Sequence, residues 1–198
     1  MAPGIASECS PVSQHSQRPR HLRFDRRIFL RGASVAALAL APMGAAFALA
    51  AKRRSLTFVH THTGESLSTV YFQNGTYNAS SLERVNYLLR DFRTDDIHPI
   101  DPGVLDILFD LQTLANRDEP YQVICGYRSP ATNALLRSRS NGVAEHSLHI
   151  QGRAIDVRLG GFPTRKLHEL ALQMGRGGVG FYAKSDFVHL DNGAVRFW

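Results

Sequence analysis

An α+β domain with a mostly antiparallel sheet flanked by helices is the fold class that this sequence predicts. Three observations predict it. Apolar residues recur at helical spacing in separate stretches, from Leu82 to Phe92, from Leu105 to Leu114 and from Leu167 to Met174. Short strand-like runs lie between and around them. The helical and hairpin-like stretches are partly segregated along the chain, the pattern of an α+β arrangement.

Each element has its own signal. Leu56-Thr57-Phe58-Val59 reads as the first strand. Leu67 to Gln73 reads as the second, and Asn74-Gly75 closes it with hairpin-turn chemistry. Ser80-x-x-Glu83 forms a capping box ahead of Leu82, Val85, Leu88, Leu89 and Phe92. After a polar loop to Pro99, Asp101 and Pro102 supply an N-cap and a first-turn proline. The helix they open carries Leu105, Leu108, Phe109, Leu111 and Leu114. Tyr121 to Cys125 is a strand and Pro130 to Arg137 a short helix, followed by a polar loop to Ser147. Ala154 to Leu159 is again a strand. Thr164 opens a helix through Leu167, Leu170, Ala171 and Met174, which Gly175, Gly177, Gly178 and Gly180 break. Short strands around Phe187–Asp191 and Val195–Trp198 finish the chain. No repeat and no low-complexity segment follows residue 51.

Residues 1–51 read as an export leader and 52–198 as the folded domain. Arg26-Arg27-Ile28-Phe29-Leu30-Arg31 is a twin-arginine pattern, followed by an alanine-rich apolar run from Ala33 to Ala51. Ala46, Ala48 and Ala50 provide small-residue cleavage sites. This order is that of a Tat signal, which places the mature protein in the periplasm or cell envelope and makes the Tat machinery a partner. The alternative is an uncleaved membrane anchor, but the run is weakly hydrophobic and ends in small residues. Membrane contact is then confined to the leader before cleavage. The leader holds six Arg and two acidic residues, so four of the six net positive charges belong to it. The basic balance is therefore no argument for nucleic-acid binding. About 148 residues remain, enough for one domain with a single core. Cys9 lies in the leader, which leaves Cys125 without a disulfide partner. Its apolar run, Val123-Ile124-Cys125, makes it a buried small hydrophobe.

The chemistry concentrates between Ser147 and Asp191. His149 and Asp156 stand seven residues apart with Gly152 between them, and His189 sits in the strand-like Val188-His189-Leu190-Asp191. Two His and one Asp make a three-ligand zinc set with a position left open for water. An aspartate inside an apolar strand must be paired or metal-bound, since a lone buried charge is costly. Taken alone, the pair His149 and Asp156 is equally consistent with a buried Asp satisfied by Arg and backbone.

Ser147, His149, Gly152, Ala154 and Asp156 match S-x-H-x-x-G-x-A-x-D, and in this the chain resembles the zinc D-Ala-D-Ala peptidase superfamily. The resemblance implies that His149, Asp156 and His189 are its zinc ligands. Gly126-Tyr127-Arg128-Ser129-Pro130 with Asn133 resembles the segment whose arginine faces substrate. His60-Thr61-His62-Thr63-Gly64-Glu65, Leu89-Arg90-Asp91-Phe92-Arg93 and Gly177–Tyr182 extend the likeness to the YcbK-like murein endopeptidase branch, over nearly all of residues 54–198. What it implies is the Hedgehog/D-Ala-D-Ala peptidase fold, zinc as cofactor and cleavage of peptidoglycan peptide cross-links. Carboxypeptidase action on stem peptides and a non-catalytic zinc-containing murein-binding protein are the other readings.

Substrate contacts are expected from Arg128, which would hold a carboxylate or the oxyanion, and from Ser147. An ion pair of Arg128 with Asp91 or Asp156 is the structural alternative. Two carboxylates compete for the general-base role. Asp186 matches the superfamily's acid-x-x-His spacing ahead of His189, whereas Asp191 shares a strand face with His189 and could orient it instead. His60 and His62 alternate on a strand and could bind a metal by spacing alone, although a packed or surface pair is favoured.

Overall fold

Among the described residues, eight strands form one sheet in the order β3-β2-β1-β4-β5-β7-β6-β8. The computed structural model describes residues 53–198 apart from Asn141, so the predicted leader lies outside the described residues. The strands are β1 (Arg53–His60), β2 (Ser66–Gln73), β3 (Thr76–Tyr77), β4 (Tyr121–Cys125), β5 (Ala154–Leu159), β6 (Gly178–Tyr182), β7 (Phe187–Asp191) and β8 (Arg196–Phe197). The helices are α1 (Ala79–Leu88), α2 (Pro102–Leu114), α3 (Pro130–Arg139) and α4 (Thr164–Met174). Among the described residues only β1 with β4 and β6 with β8 pair in parallel. The sheet is mixed but mostly antiparallel, as the sequence predicts. Among the described residues no helix is long and apolar enough to cross a membrane.

One face of the sheet is sealed by α2 and α4. Asp101 caps α2 by accepting from the Gly103 amide at 2.8 Å, with Pro102 in the first turn. Val104, Leu105, Leu108 and Leu111 are then wholly buried, together with Phe58, Val123, Ile155, Val157, Leu167 and Val188. Each such side chain contributes about 1.5–3 kcal/mol by leaving water. Gly175 ends α4 in the left-handed conformation.

Two local readings are corrected and one strand is added. The cap of α1 is Asn78, whose Oδ1 accepts from the Ser81 amide at 3.1 Å; Ser80 spends its hydroxyl on the same oxygen. Leu148–Gln151 is a 3-10 turn inside what reads as loop. The glycines end α4 as expected, but Gly178–Tyr182, to which the sequence assigns no element, is a strand whose Gly178 and Gly180 allow close approach. A Cβ on Gly178 would lie 2.3 Å from the Asp191 carboxylate, and one on Gly180 would lie 2.7 Å from the Trp198 ring.

Candidate metal centre and substrate cleft

The second face of the sheet carries the site. Along β5, Ile155, Val157 and Leu159 enter the core, so Asp156 points the other way. Along β7, Val188 and Leu190 enter the core and His189 points with Asp156. The antiparallel register sets Asp156 opposite His189, and His189 opposite Gly180. In β4 the alternation of Tyr121 and Val123 would send Cys125 into the core. A register shift between Val123 and Cys125 instead sets Cys125 opposite Asp156. A bulge re-aims a side chain in this way. Cys125, Asp156, His189 and Gly180 thus form one row across four strands.

His149 reaches this row from the 3-10 turn. Ser147 caps that turn, its Oγ accepting from the His149 amide at 3.4 Å. Gly152 ends it at φ 64°, where a Cβ would lie 2.1 Å from the Pro99 carbonyl oxygen. No other residue fits there, which is the physical reason for glycine between His149 and Asp156.

Three donor atoms converge. His149 Nε2 lies 3.2 Å from His189 Nδ1 and 3.3 Å from Asp156 Oδ1, and His189 Nδ1 lies 2.8 Å from Asp156 Oδ1. Tetrahedral donors bound at about 2.0–2.2 Å stand roughly 3.3–3.6 Å apart, so the 3.3 Å spacing matches, the 3.2 Å one falls just short and the 2.8 Å one is tighter. The second nitrogen of each imidazole is fixed. His149 Nδ1 donates to the Gly126 carbonyl at 2.7 Å, and His189 Nε2 donates to Asp191 Oδ2 at 3.0 Å. Both rings therefore present their free nitrogens to Asp156, the arrangement by which metal-binding histidines are oriented. Cys125 is a further donor of the same cluster, its ligand atom and those of His149 and Asp156 lying within 4.8 Å of one another. The set with His189 is the tighter of the two. The residues fit a zinc ion.

The electrostatics follow from this crowding. Burial alone would lower the His149 imidazole, but the Asp156 carboxylate and the Cys125 thiol raise it to about 10. Burial would raise the Asp156 carboxyl, yet His149 and His189 hold it well below the usual carboxylate range. A divalent cation placed among these groups does the same work as that proton and displaces it.

The two candidate bases occupy different places. Asp186 stands at φ 51° on the exposed turn between β6 and β7, 3.5 Å from Arg158 Nε, and does not line the cleft. Asp186 lies at the far end of β7 from Asp191. Asp191 is wholly buried behind His189. It accepts from the amides of Gly178 and Gly193 at 2.9 and 2.8 Å and from Arg196 at 2.6 Å. Burial would raise its carboxyl, but these donors and His189 hold it down. Asp191 holds the ring of His189 and does not face the cleft.

Arg128 lies with its Nη2 3.8 Å from Asp156 Oδ2 and 3.6 Å from Cys125 Sγ, while Nη1 donates to Asn133 at 3.4 Å. Asp91 takes another partner: it accepts from the Ser129 amide and hydroxyl at 2.9 and 2.7 Å, which locks the start of α3 and so places Arg128. His60 is buried at the end of β1 and His62 lies in the turn beyond it, stacked on Phe92.

A cleft of about 480 Å³ opens over the donors, lined by Arg128, His146, Ser147, His149, Asp156 and His189 and walled by Tyr182, Phe187, Arg196 and Trp198. Sequence reasoning missed Cys125, Arg196 and Trp198. The first is hidden by a bulge that alternation cannot reveal. The other two come from the terminal strand, whose pairing with β6 is nonlocal.

The Peptidase_M15_2 family, described as peptidoglycan L,D-endopeptidase MepK, matches residues 48–198. The peptidoglycan L,D-endopeptidase MepK of Escherichia coli strain K12 is 40% identical over 174 residues, 87% of this chain and 96% of that protein. The "Probable peptidoglycan L,D-endopeptidase MepK" of Haemophilus influenzae is 43% identical over 148 residues, 74% of this chain and 80% of that protein.

Proposed function

This chain belongs to the Peptidase_M15_2 family, and from that premise we propose that it is an exported zinc endopeptidase that hydrolyses L,D peptide cross-links of bacterial peptidoglycan. The observation that carries the reading is the convergence of His149 Nε2, Asp156 Oδ1 and His189 Nδ1 beneath a cleft. An L,D bond between stems is a 3-3 cross-link, joining the L-centre of one diaminopimelyl residue to the D-centre of the next.

The residues divide the work. His149, Asp156 and His189 would hold zinc, which when bound supplies a water of lowered pKa and a polarised carbonyl. The Gly126 carbonyl and the Asp191 carboxylate keep the two imidazoles in the tautomers that ligate. Arg128 places a guanidinium at the cleft wall, where it offers charge-assisted bonds to a substrate carboxylate or to the carbonyl oxygen as it gains charge. Ser147 lines the same wall and keeps the 3-10 turn in place. Asp191 is a positioning residue, and Asp186 is given no role in the reaction.

The leader supports export by the Tat route, since Arg26-Arg27 precedes an alanine-rich run with small residues at its end. Peptidoglycan lies outside the cytoplasmic membrane, so route and substrate agree.

The deciding experiment is digestion of purified sacculi by the zinc-loaded protein, with released muropeptides identified by mass. The expected product is monomer released from 3-3 linked dimers, with the stems otherwise intact. Shortened stems with cross-links retained would make the protein a carboxypeptidase. Zinc retention with no product would make it a murein-binding protein.

A further inference from the structure

The row of side chains over the sheet ends in a bare position. Opposite His189 stands Gly180, and the Trp198 ring lies against it, where any Cβ would collide with the indole. The indole is held from several sides. The Trp198 amide donates to the Val179 carbonyl at 3.2 Å, and the Phe181 amide donates to the Trp198 carbonyl at 3.1 Å. Its Nε1 donates to the Tyr182 hydroxyl at 3.0 Å, and its ring centre lies 5.2 Å from that of His189. With its polar atom spoken for, Trp198 still leaves half its surface, 51%, open to solvent in the cleft. Tyr182 and Phe187, stacked at 4.5 Å, continue the wall. A large aromatic surface held rigidly in water beside catalytic donors loses little entropy on contact and gains from covering.

The strand order gives this wall a direction. Arg128 follows β4 and Trp198 follows β8, and the ligand-bearing strands β5 and β7 lie between them. Arg128 thus stands on one side of the donors and the aromatic wall on the other; Arg196 on that wall is paired with Asp191, its guanidinium 5.3 Å from the centre of the Trp198 ring. We propose that Trp198 is a substrate-contacting, specificity-determining residue, whose indole covers the aliphatic stem of one diaminopimelyl half of a cross-linked substrate while Arg128 takes the carboxylate of the other half. The inference rests on the endopeptidase reading above and adds an orientation to it.

Trp198 is also the only tryptophan of the chain, so its emission reports this wall alone. The probe is a purified 3-3 cross-linked disaccharide-tetrapeptide dimer. Added to metal-free protein, where no turnover occurs, the dimer should shift or quench the emission, and the free disaccharide should not. In the zinc-loaded protein Trp198→Ala should raise KM for the dimer about tenfold, the scale of one lost aromatic contact, with kcat within about threefold. Zinc content should stay at the parent value, and Trp198→Phe should keep KM within about threefold, since it retains a ring. An unchanged KM in the alanine variant, a silent emission, or zinc loss in step with activity would overturn the proposal; the last would make Trp198 a mere support for His189. The two readings fail separately. Emission that answers the dimer without any cleavage sinks the endopeptidase reading and supports the wall. Cleavage with an unchanged KM in the variant sinks the wall alone.

Discussion

Two pairs of histidines show what separates a candidate metal centre from an accident of spacing. His60 and His62 are two residues apart and His149 and His189 are forty apart, yet only the distant pair converges. His60 Nδ1 accepts from the amides of His62 and Thr63 at 3.3 and 3.4 Å, so that nitrogen is turned to its own loop. His62 stacks on Phe92, at 4.1 Å between ring centres. Burial lowers both imidazoles. Burial opposes protonation of His149 as well, but there Asp156 reverses the result. The difference lies in the partners: a buried carboxylate between the rings, and an acceptor behind each ring that fixes its outer proton.

Removing one member of each pair gives the largest contrast. His149→Ala should take zinc from one per chain to near none and reduce turnover by at least about a thousandfold, because two ligands do not hold a catalytic ion. His62→Ala should leave zinc content unchanged. Metal analysis of the purified variants decides it, and equal zinc in His149→Ala and the parent would undo the assignment.

A middle effect is expected one layer back. Asp191→Asn keeps the shape but removes the charge that His189, Arg196 and two amides share. Zinc affinity should fall by roughly ten- to a hundredfold, and added zinc should restore turnover. Titration against a competing chelator measures it. A variant with parental zinc affinity and no activity would instead make Asp191 the base.

The smallest effect separates the two aspartates. Asp186→Asn should leave turnover within about twofold of the parent, as for an exposed change remote from the cleft, whereas loss of a general base costs about a hundredfold or more. Turnover on cross-linked muropeptide at saturating zinc is the measurement.

The sequence by itself determined the elements that local chemistry governs. Asp101-Pro102 starts α2, Asn74-Gly75 turns β2 into β3, and the alternation of Ala154 to Leu159 turns Asp156 away from the core. It also singled out His149, Asp156 and His189, since a signature fixes residue types at fixed offsets. Tertiary structure decided what depends on pairing between distant strands. The bulge between Val123 and Cys125 sends a thiol to Asp156 that alternation would send to the core. Acid-x-x-His spacing pointed to Asp186, but three residues along a strand span about 10 Å, and Asp186 ends on the outer turn. Gly178 and Gly180 look like breakers until Asp191 and Trp198 lie against them. Local propensity acts over a few residues, whereas register, bulges and close backbone approach are set by strands far away in the chain, and the cleft is built from those.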